Sequence, residues 1–425
     1  MSVRRTAAVL AATVVIGTAL APAAVADGSS PSPTAPPATP SGLFGRTDPT
    51  YDGVWRQSLA LLAQHTVGER PAAAAVDWLA GQQCANGAFA AFRADATAAC
   101  DAKTMVDTNS TAAAVQALAA LGGHDTGTRK AVGWLTSVQN KDGGWGYTAG
   151  GASDANSTSV VVGALAAAGR NPAEVRSGQG GSPYDALVKL SVGCDGEGAD
   201  AGGFAYQPDK RGALAANADA TAAAVLGSLG KGLVATAGKA LPHGYTCEKA
   251  DTPTPGQAAN NGAFHLARLL HDTPYLKSAL PGAKDRPDYG NTADAVVALA
   301  AQGGITETKK PLAWLEKNSG PWAATSGPAA YAQLILAAHA TGTDPRAFGG
   351  TDLVARLGAT GPAVQASGSE ASAGTKKNDQ QNENDKKDKK DDGKGVGVWW
   401  IIGVGLVGGI GIGFLISGRS KKQQP

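Results

Sequence analysis

The sequence is poor in aromatic residues and has no excess of one charge. Phenylalanine, tryptophan and tyrosine make up 5% of the 425 residues, charged residues make up 17%, and the formal net charge is +2. A nearly neutral chain offers no broad basic surface, so nucleic acid is not an expected partner. Few aromatic side chains are available to wall a cavity.

Strand and metal-site patterns are also missing. No segment keeps up the alternation of polar and apolar residues that is typical of β-strands. The four cysteines and six histidines show no C-x-x-C or Cys/His spacing of a zinc site. The sequence therefore predicts an all-α fold, with no metal and no cofactor.

Both ends of the sequence indicate export. Residues 1–26 resemble a secretory signal, with Arg4 and Arg5 before an apolar run and Ala24-Val25-Ala26 as the cleavage site. An uncleaved N-terminal anchor is the alternative. Residues 27–42 form a Pro/Ser-rich linker, which should be extended.

The C-terminal part predicts a membrane anchor. Residues 359–395 include a run of mixed charges that cannot bury apolar surface, so we expect a disordered stalk. Residues 396–417 carry no charge and are long enough to cross a bilayer. Basic residues in the tail, 418–425, place the tail in the cytoplasm. The domain at 43–358 would then lie outside the cell, held to the cell membrane by a single span.

Three glycines of the predicted span lie four residues apart. Gly405, Gly409 and Gly413 share one helix face, which would allow close packing against another helix in lipid. A membrane protein partner is one interpretation, and glycine-rich filler is the other.

All four cysteines lie in the exported domain, where disulfides are stable. Three pairings of four cysteines are possible. We favour Cys84–Cys100 with Cys194–Cys247, because each bond would close a loop between neighbouring helices.

A Gly-x-aromatic triplet recurs through the domain. Its aromatic residues are separated by 56, 59, 60 and 58 residues. This spacing predicts five repeats of one structural unit. The triplets are Gly87-x-Phe89, Gly143-x-Trp145, Gly202-x-Phe204, Gly262-x-Phe264 and Gly320-x-Trp322.

Each triplet is followed by a polar box and then by a helix rich in alanine and leucine. The predicted helices are 111–121, 158–168, 221–229 and 292–302, with further helices at 55–65 and 352–357. They are apolar nearly all round, which indicates burial on both sides. About six helix pairs closed into an α/α toroid would satisfy this pattern, and an open helical solenoid is the structural alternative.

One repeat carries a family resemblance. Val138-Gln139-Asn140-Lys141-Asp142-Gly143-Gly144-Trp145 resembles the glutamine–tryptophan repeat of squalene cyclases, other terpene cyclases and prenyltransferase β subunits. The resemblance implies an α/α toroid with a central cavity. Toroids of this kind also serve as non-catalytic binders, including cobalamin carriers, so the fold does not decide the function.

The polar boxes resemble the D-x-D-D-T-A acid motif of terpene cyclases. The resemblance implies that the middle residue of a box protonates the substrate, but Asn109 and Asn156 hold that position in two boxes and an amide cannot supply the proton. Asp219 and Asp107 are the candidate catalytic residues if the chain is an enzyme. Asp, Asn, Ser and Thr also cap helix N-termini.

The boxes can be interpreted as helix caps or as a ring of polar groups that binds a polar ligand, and the two interpretations are compatible. The candidate ligand-binding residues are Asp107, Asn109, Thr111, Asp154, Asn156, Thr158, Asn217, Asp219, Thr221, Asp288 and Trp145. We expect a tethered, non-catalytic module that captures a small or lipid-like ligand, or serves as a scaffold, near a membrane importer. A terpene cyclase or prenyltransferase-like enzyme and a carbohydrate-active enzyme are the alternatives. An enzyme would have a carboxyl of perturbed pKa in a deep pocket.

Overall fold

A computed structural model describes residues 41–194, 198–241, 244–279 and 285–365, all within the compact unit Thr39–Pro425. The predicted signal, membrane span and tail lie outside these residues, as do nearly all of the linker and most of the stalk. Within the described ranges, no helix is both long and apolar enough to cross a membrane.

The described residues form helices joined by turns and two short β-ribbons, so the expected all-α class is confirmed. The helices are α1 (Gly53–Thr66), α2 (Ala73–Gly81), α3 (Thr108–Leu121), α4 (Asp125–Ser137), α5 (Ala155–Ala167), α6 (Pro183–Lys189), α7 (Ala218–Ser228), α8 (Pro255–Asp272), α9 (Tyr289–Gln302), α10 (Ile305–Asn318), α11 (Gly320–Ser326), α12 (Pro328–Thr341) and α13 (Leu353–Gly358). A 3-10 turn spans Pro172–Glu174. Antiparallel β1 (Phe89–Ala90) pairs with β2 (Val106–Asp107), and β3 (Leu276–Lys277) pairs with β4 (Pro287–Asp288).

Two sets of helices differ in what they contact. Helices α1, α3, α5, α7, α9 and α12 each pack against the next of this set, and α12 packs against α1. Helices α2, α4, α6, α8 and α10 each contact two consecutive members of it. The first set is rich in buried alanines, whose small side chains allow close approach of helices on several sides.

The polar boxes begin four helices of the first set. The side chains of Asp107, Asp154, Asn217 and Asp288 each accept a hydrogen bond from the backbone N–H three residues later, at 2.6 to 3.1 Å. The capping interpretation of these four residues is therefore confirmed. The expected helix starts were three residues late, because the polar residues of each box already belong to the first turn.

The threonine of each box fastens the helix to the preceding turn. The backbone N–H of Phe89, Trp145 and Phe204 donates to Thr111, Thr158 and Thr221 Oγ1 at 2.9 to 3.0 Å. The fourth copy uses Leu276, whose N–H donates to Thr292 Oγ1 at 3.0 Å. The repeat thus depends on a hydrogen bond from the turn to the box threonine, and an aromatic residue is not required.

Two of the five predicted triplets are not such turns. Gly262 and Phe264 lie inside α8, and Gly320 begins α11. A Cβ at position 262 would lie 2.7 Å from Val225 Cγ2 and 3.0 Å from Phe204 Cε2. Gly262 is therefore explained by close packing of α8 on its neighbours, and the expectation of five equivalent turns is wrong at these two positions.

Both favoured disulfides are present. Cys84 is bonded to Cys100 across 16 residues, and Cys194 is bonded to Cys247 across 53 residues. The second bond joins the segment after α6 to the segment before α8. Two disulfides are compatible with an oxidising compartment.

A side chain at position 143 is expected to destabilise the fold for steric reasons. The φ of Gly143 is +96°, and a Cβ there would lie 2.2 Å from the backbone oxygen of Ser182. We expect Gly143→Ala to lower the free energy of unfolding by about 2 kcal/mol, from backbone strain together with the clash. Gly150 is the matched control, because its φ is +78° and its Cβ would meet nothing within 4 Å. Equal losses in urea unfolding of the two alanine variants would contradict the steric explanation.

Candidate functional site

A cavity of about 90 Å³ lies among α1, α5, α7, α9 and α12. Most of its wall is apolar, and the polar part of the wall consists of a few side chains from different helices. The apolar residues are Leu59, Val160, Ala222, Ala223, Leu226, Leu233, Val297 and Leu336. The polar or aromatic ones are Trp55, Asn156, Ser159, Asp219, Lys231, Asp294 and Gln333.

The repeat brings Asn156 and Asp219 together. Both occupy the middle position of their box, which is the second residue of the neighbouring helices α5 and α7. Asn156 Nδ2 donates to Asp219 Oδ2 at 2.7 Å. Burial, with a contribution from the negative charge of Asp288, raises the pKa of Asp219 to about 6, against the opposing hydrogen bond from Asn156.

Asp294 is the second carboxyl of the cavity. Gln333 Nε2 lies 3.1 Å from Asp294 Oδ2 and 3.3 Å from Oδ1. Burial, together with the negative charges of Asp219 and Asp288, raises the pKa of Asp294 to about 7, against the opposing hydrogen bond from Gln333. Both Asp219 and Asp294 keep part of their surface accessible, and the cavity that they line gives a small molecule access to it.

Neither cavity carboxyl has a cationic partner among the ion pairs of the described residues. Lys231 lines the same cavity, but its ammonium donates to the backbone oxygen of Thr236 at 3.3 Å. Carboxyls with no compensating charge disfavour their ionised form, which agrees with the raised pKa values of both groups.

Two further oxygens at the cavity lack partners. Asn156 Oδ1 and Ser159 Oγ are buried and make no hydrogen bond within the described part of the chain. Their residues are only 2% and 4% exposed. Buried polar atoms are nearly always hydrogen-bonded in proteins, so two unpaired oxygens on residues that line the cavity mark it as a candidate site for a polar ligand.

The other box residues lie outside this cavity. Asp107 and Asp154 are buried N-caps, and burial raises the pKa of each to about 6 while hydrogen bonds from Ser110 and Ser157 oppose the rise. Asn217 and Asp288 are also caps. Asn109 is buried with both side-chain polar atoms unpaired, but it does not line the cavity.

Four predicted ligand-binding residues already have partners within the protein. Thr111, Thr158 and Thr221 accept the turn hydrogen bonds described above and are fully buried. Trp145 is 1% exposed, and its Nε1 donates to the backbone oxygen of Leu135 at 2.7 Å. Their positions serve the packing of the repeat.

Sequence reasoning missed Trp55, Ser159, Asp294 and Gln333. Asp294 has a recognisable signal, because it is a single acid inside the otherwise apolar stretch predicted as helix 292–302. A charged residue on a helix that is buried on all sides needs a partner or a function. Gln333 had no comparable signal, since α12 itself was not predicted.

The cavity offers acid–base groups and hydrogen-bond acceptors. Within the described ranges, no cluster of three or more His, Cys, Asp or Glu side chains could hold a metal ion. Two carboxyls with pKa values of about 6 and 7 change charge near neutral pH. They can accept hydrogen bonds from a ligand or exchange protons with it.

Comparisons with known proteins identify no family. No family model matches the chain, and no curated protein is similar to it in sequence. A crystal structure of a protein from Actinoplanes matches with a TM-score of 0.43 at 18% identity, over 66% of this chain and 75% of that one.

Proposed function

We propose that the chain is a membrane-tethered, extracytoplasmic α/α toroid that captures a small polar ligand in its central cavity. The cyclic order of contacts from α1 through α3, α5, α7, α9 and α12 back to α1 supports the toroid. The outer helices, each resting on two consecutive inner ones, also support it. The resemblance of 138–145 to the glutamine–tryptophan repeat agrees with this architecture.

The observation that carries the binding proposal is the polar patch of the cavity, which consists of Asn156, Ser159, Asp219, Asp294 and Gln333. Asp219 and Asp294 carry no neutralising partner, and two neighbouring buried oxygens have no hydrogen bond. Unpaired buried polar groups destabilise a fold by about 1–3 kcal/mol each. A protein that keeps such groups on adjoining helices is expected to use them, because local conflicts with stability concentrate at functional sites.

The size of the cavity limits the ligand. Pockets that hold drug-sized molecules measure about 300–1,000 Å³, and this cavity measures about 90 Å³. The dimensions favour a small molecule over the lipid-like ligand that the sequence also allowed.

The membrane tether is the remaining part of the proposal. Residues 396–417 would hold the domain at the membrane, and Gly405, Gly409 and Gly413 would face a membrane importer.

Native mass spectrometry of the full chain, purified in mild detergent from its own host, tests the binding proposal. We expect a small molecule to accompany the wild-type chain and to be lost from the Asp219→Asn/Asp294→Asn variant. Asp352→Asn is the control, because it also removes a negative charge but caps α13 away from the cavity, and asparagine retains the cap. Equal ligand content in all three proteins would refute binding at these carboxyls.

A catalytic role is the second candidate, because Asp219 and Asp294 are carboxyls of perturbed pKa in a cavity, the feature expected of an enzyme. Carboxyls with pKa values near 6 and 7 suit general acid–base catalysis at neutral pH. They do not suit protonation of an alkene, because raising the pKa of a carboxyl makes it a weaker acid. Turnover of the co-purified molecule by the wild-type chain, abolished in Asp219→Asn, would favour an enzyme over a carrier.

A further inference from the structure

The hydrogen-bonding groups of the cavity are mainly acceptors. We infer that its ligand is a small primary amine, held as the ammonium ion by Asp219 and Asp294. This inference rests on the proposed binding function and adds the chemical class of the ligand.

The two side-chain amides of the polar patch donate to its carboxyls. Asn156 Nδ2 donates to Asp219, and Gln333 Nε2 donates to Asp294. The other polar groups are mostly oxygens, namely the carboxylate oxygens, the unpaired Asn156 Oδ1 and the hydroxyl of Ser159, while Trp55 and Lys231 each add an N–H donor group to the lining. A primary ammonium has three N–H donors and no acceptor, so it matches this set. An anionic ligand would be repelled by both carboxylates.

The walls indicate an organic cation. Leucine, valine and alanine side chains form most of the lining, and the indole of Trp55 belongs to it. A short hydrocarbon chain would bury apolar surface against these residues, and an indole face attracts a cation. An inorganic cation would make no use of this lining.

The charges around the cavity favour a cation when the carboxyls are ionised. Asp219 on α7, Asp294 on α9 and Asp288 at the start of α9 are acidic, and Lys231 is the basic residue of the lining. The side chains from α1, α5 and α12 that form the polar or aromatic part of the wall are Trp55, Asn156, Ser159 and Gln333, which are uncharged. Binding of an ammonium ion should therefore strengthen as pH rises from 5 to 8, while a simple alkylamine stays protonated.

The test is calorimetric titration of the full chain in detergent, after the co-purified ligand has been removed by dialysis at pH 5. The probes at pH 8 are propylamine, 1-propanol, propionate and calcium chloride, at one ionic strength. We expect binding of propylamine alone, with at least about tenfold weaker binding at pH 5, where protonation neutralises the carboxyls.

Variants locate the site. Asp294→Asn should weaken propylamine binding at least about tenfold, the usual scale for losing one partner of a shielded charge pair. Asp352→Asn should leave it unchanged. Lys231→Met should strengthen binding, because it removes the competing positive charge of the lining.

The possible outcomes separate the two proposals. Binding of 1-propanol as tightly as propylamine would overturn the ammonium inference and leave a polar-ligand site. Binding of calcium without propylamine would overturn it in favour of an inorganic cation. Failure of every probe, together with no co-purified molecule in the mass spectrum, would overturn both the inference and the proposed function.

Discussion

Replacing Asp294 by asparagine is expected to stabilise the protein at pH 8. The pKa of Asp294 is raised to about 7 in the fold, from a usual value of 3.8. A tenfold change in the acid dissociation constant corresponds to about 1.4 kcal/mol. Partial access of solvent to the cavity reduces the free-energy difference that the whole pKa shift would give. We therefore expect the free energy of unfolding to rise by about 2–3 kcal/mol, or the melting temperature by roughly 5 °C.

The raised pKa of Asp294 also sets the pH dependence of stability. Because the folded protein binds the proton of Asp294 more tightly than the unfolded chain does, stability falls as pH rises from about 4 through about 7. Asp219, Asp107 and Asp154, with pKa values of about 6, act in the same direction. Melting curves between pH 5 and pH 8 should show a smaller decline for Asp294→Asn than for the wild type.

Asp52 provides the contrasting substitution. Its carboxylate lies 3.3 Å from Arg56, so Asp52→Asn leaves a buried guanidinium without its ion-pair partner. This variant should be destabilised at pH 8. If Asp294→Asn loses stability as Asp52→Asn does, then the Asp294 carboxylate has a compensating partner and the cavity is not an unpaired acidic site.

Loss of the Cys194–Cys247 disulfide is expected to be the most destabilising change. The bond closes a loop with a separation of 53 residues, against 16 for Cys84–Cys100. Loop-closure entropy in the unfolded chain gives about 4 kcal/mol for the longer loop and about 3 kcal/mol for the shorter one. The Cys194–Cys247 bond also lies against the turn at Gly202-x-Phe204, where a Cβ at Gly202 would be 3.0 Å from Cys247 Sγ.

Guanidinium unfolding of the two double-serine variants measures this difference. Cys194→Ser/Cys247→Ser should unfold at a lower denaturant concentration than Cys84→Ser/Cys100→Ser, with the wild type highest. The reverse order would show that local packing around Cys84 outweighs the entropy of the longer loop.

Local signals made much of the fold predictable. The boxes at Asp107, Asp154 and Asn217 are capping sequences, and the glycine turns before them require positive φ at Gly87, Gly143 and Gly202. These features depend on a few consecutive residues, so they can be read directly from the sequence. Both members of the hydrogen-bonded pair Asn156–Asp219 were visible in the sequence as the middle residues of their boxes, although the bond between them was not.

Features set by tertiary packing could not be predicted in this way. Gly262 and Phe264 follow the triplet pattern by sequence, yet close packing against Phe204 explains the glycine. Helix α12 carries no polar box, since Gly327 and Pro328 begin it instead. Gln333 meets Asp294 only because α12 packs against α9, a contact between residues 39 positions apart.

The position of the Lys231 ammonium, in a crystal structure of the full chain purified from its host at pH 8, tests the central claim most directly. The account predicts Lys231 at the rim beside Thr236, with electron density for a bound small molecule touching Asp219, Asp294 and Asn156 Oδ1. Lys231 turned inward in an ion pair with the two carboxylates, in a cavity without such density, would contradict it.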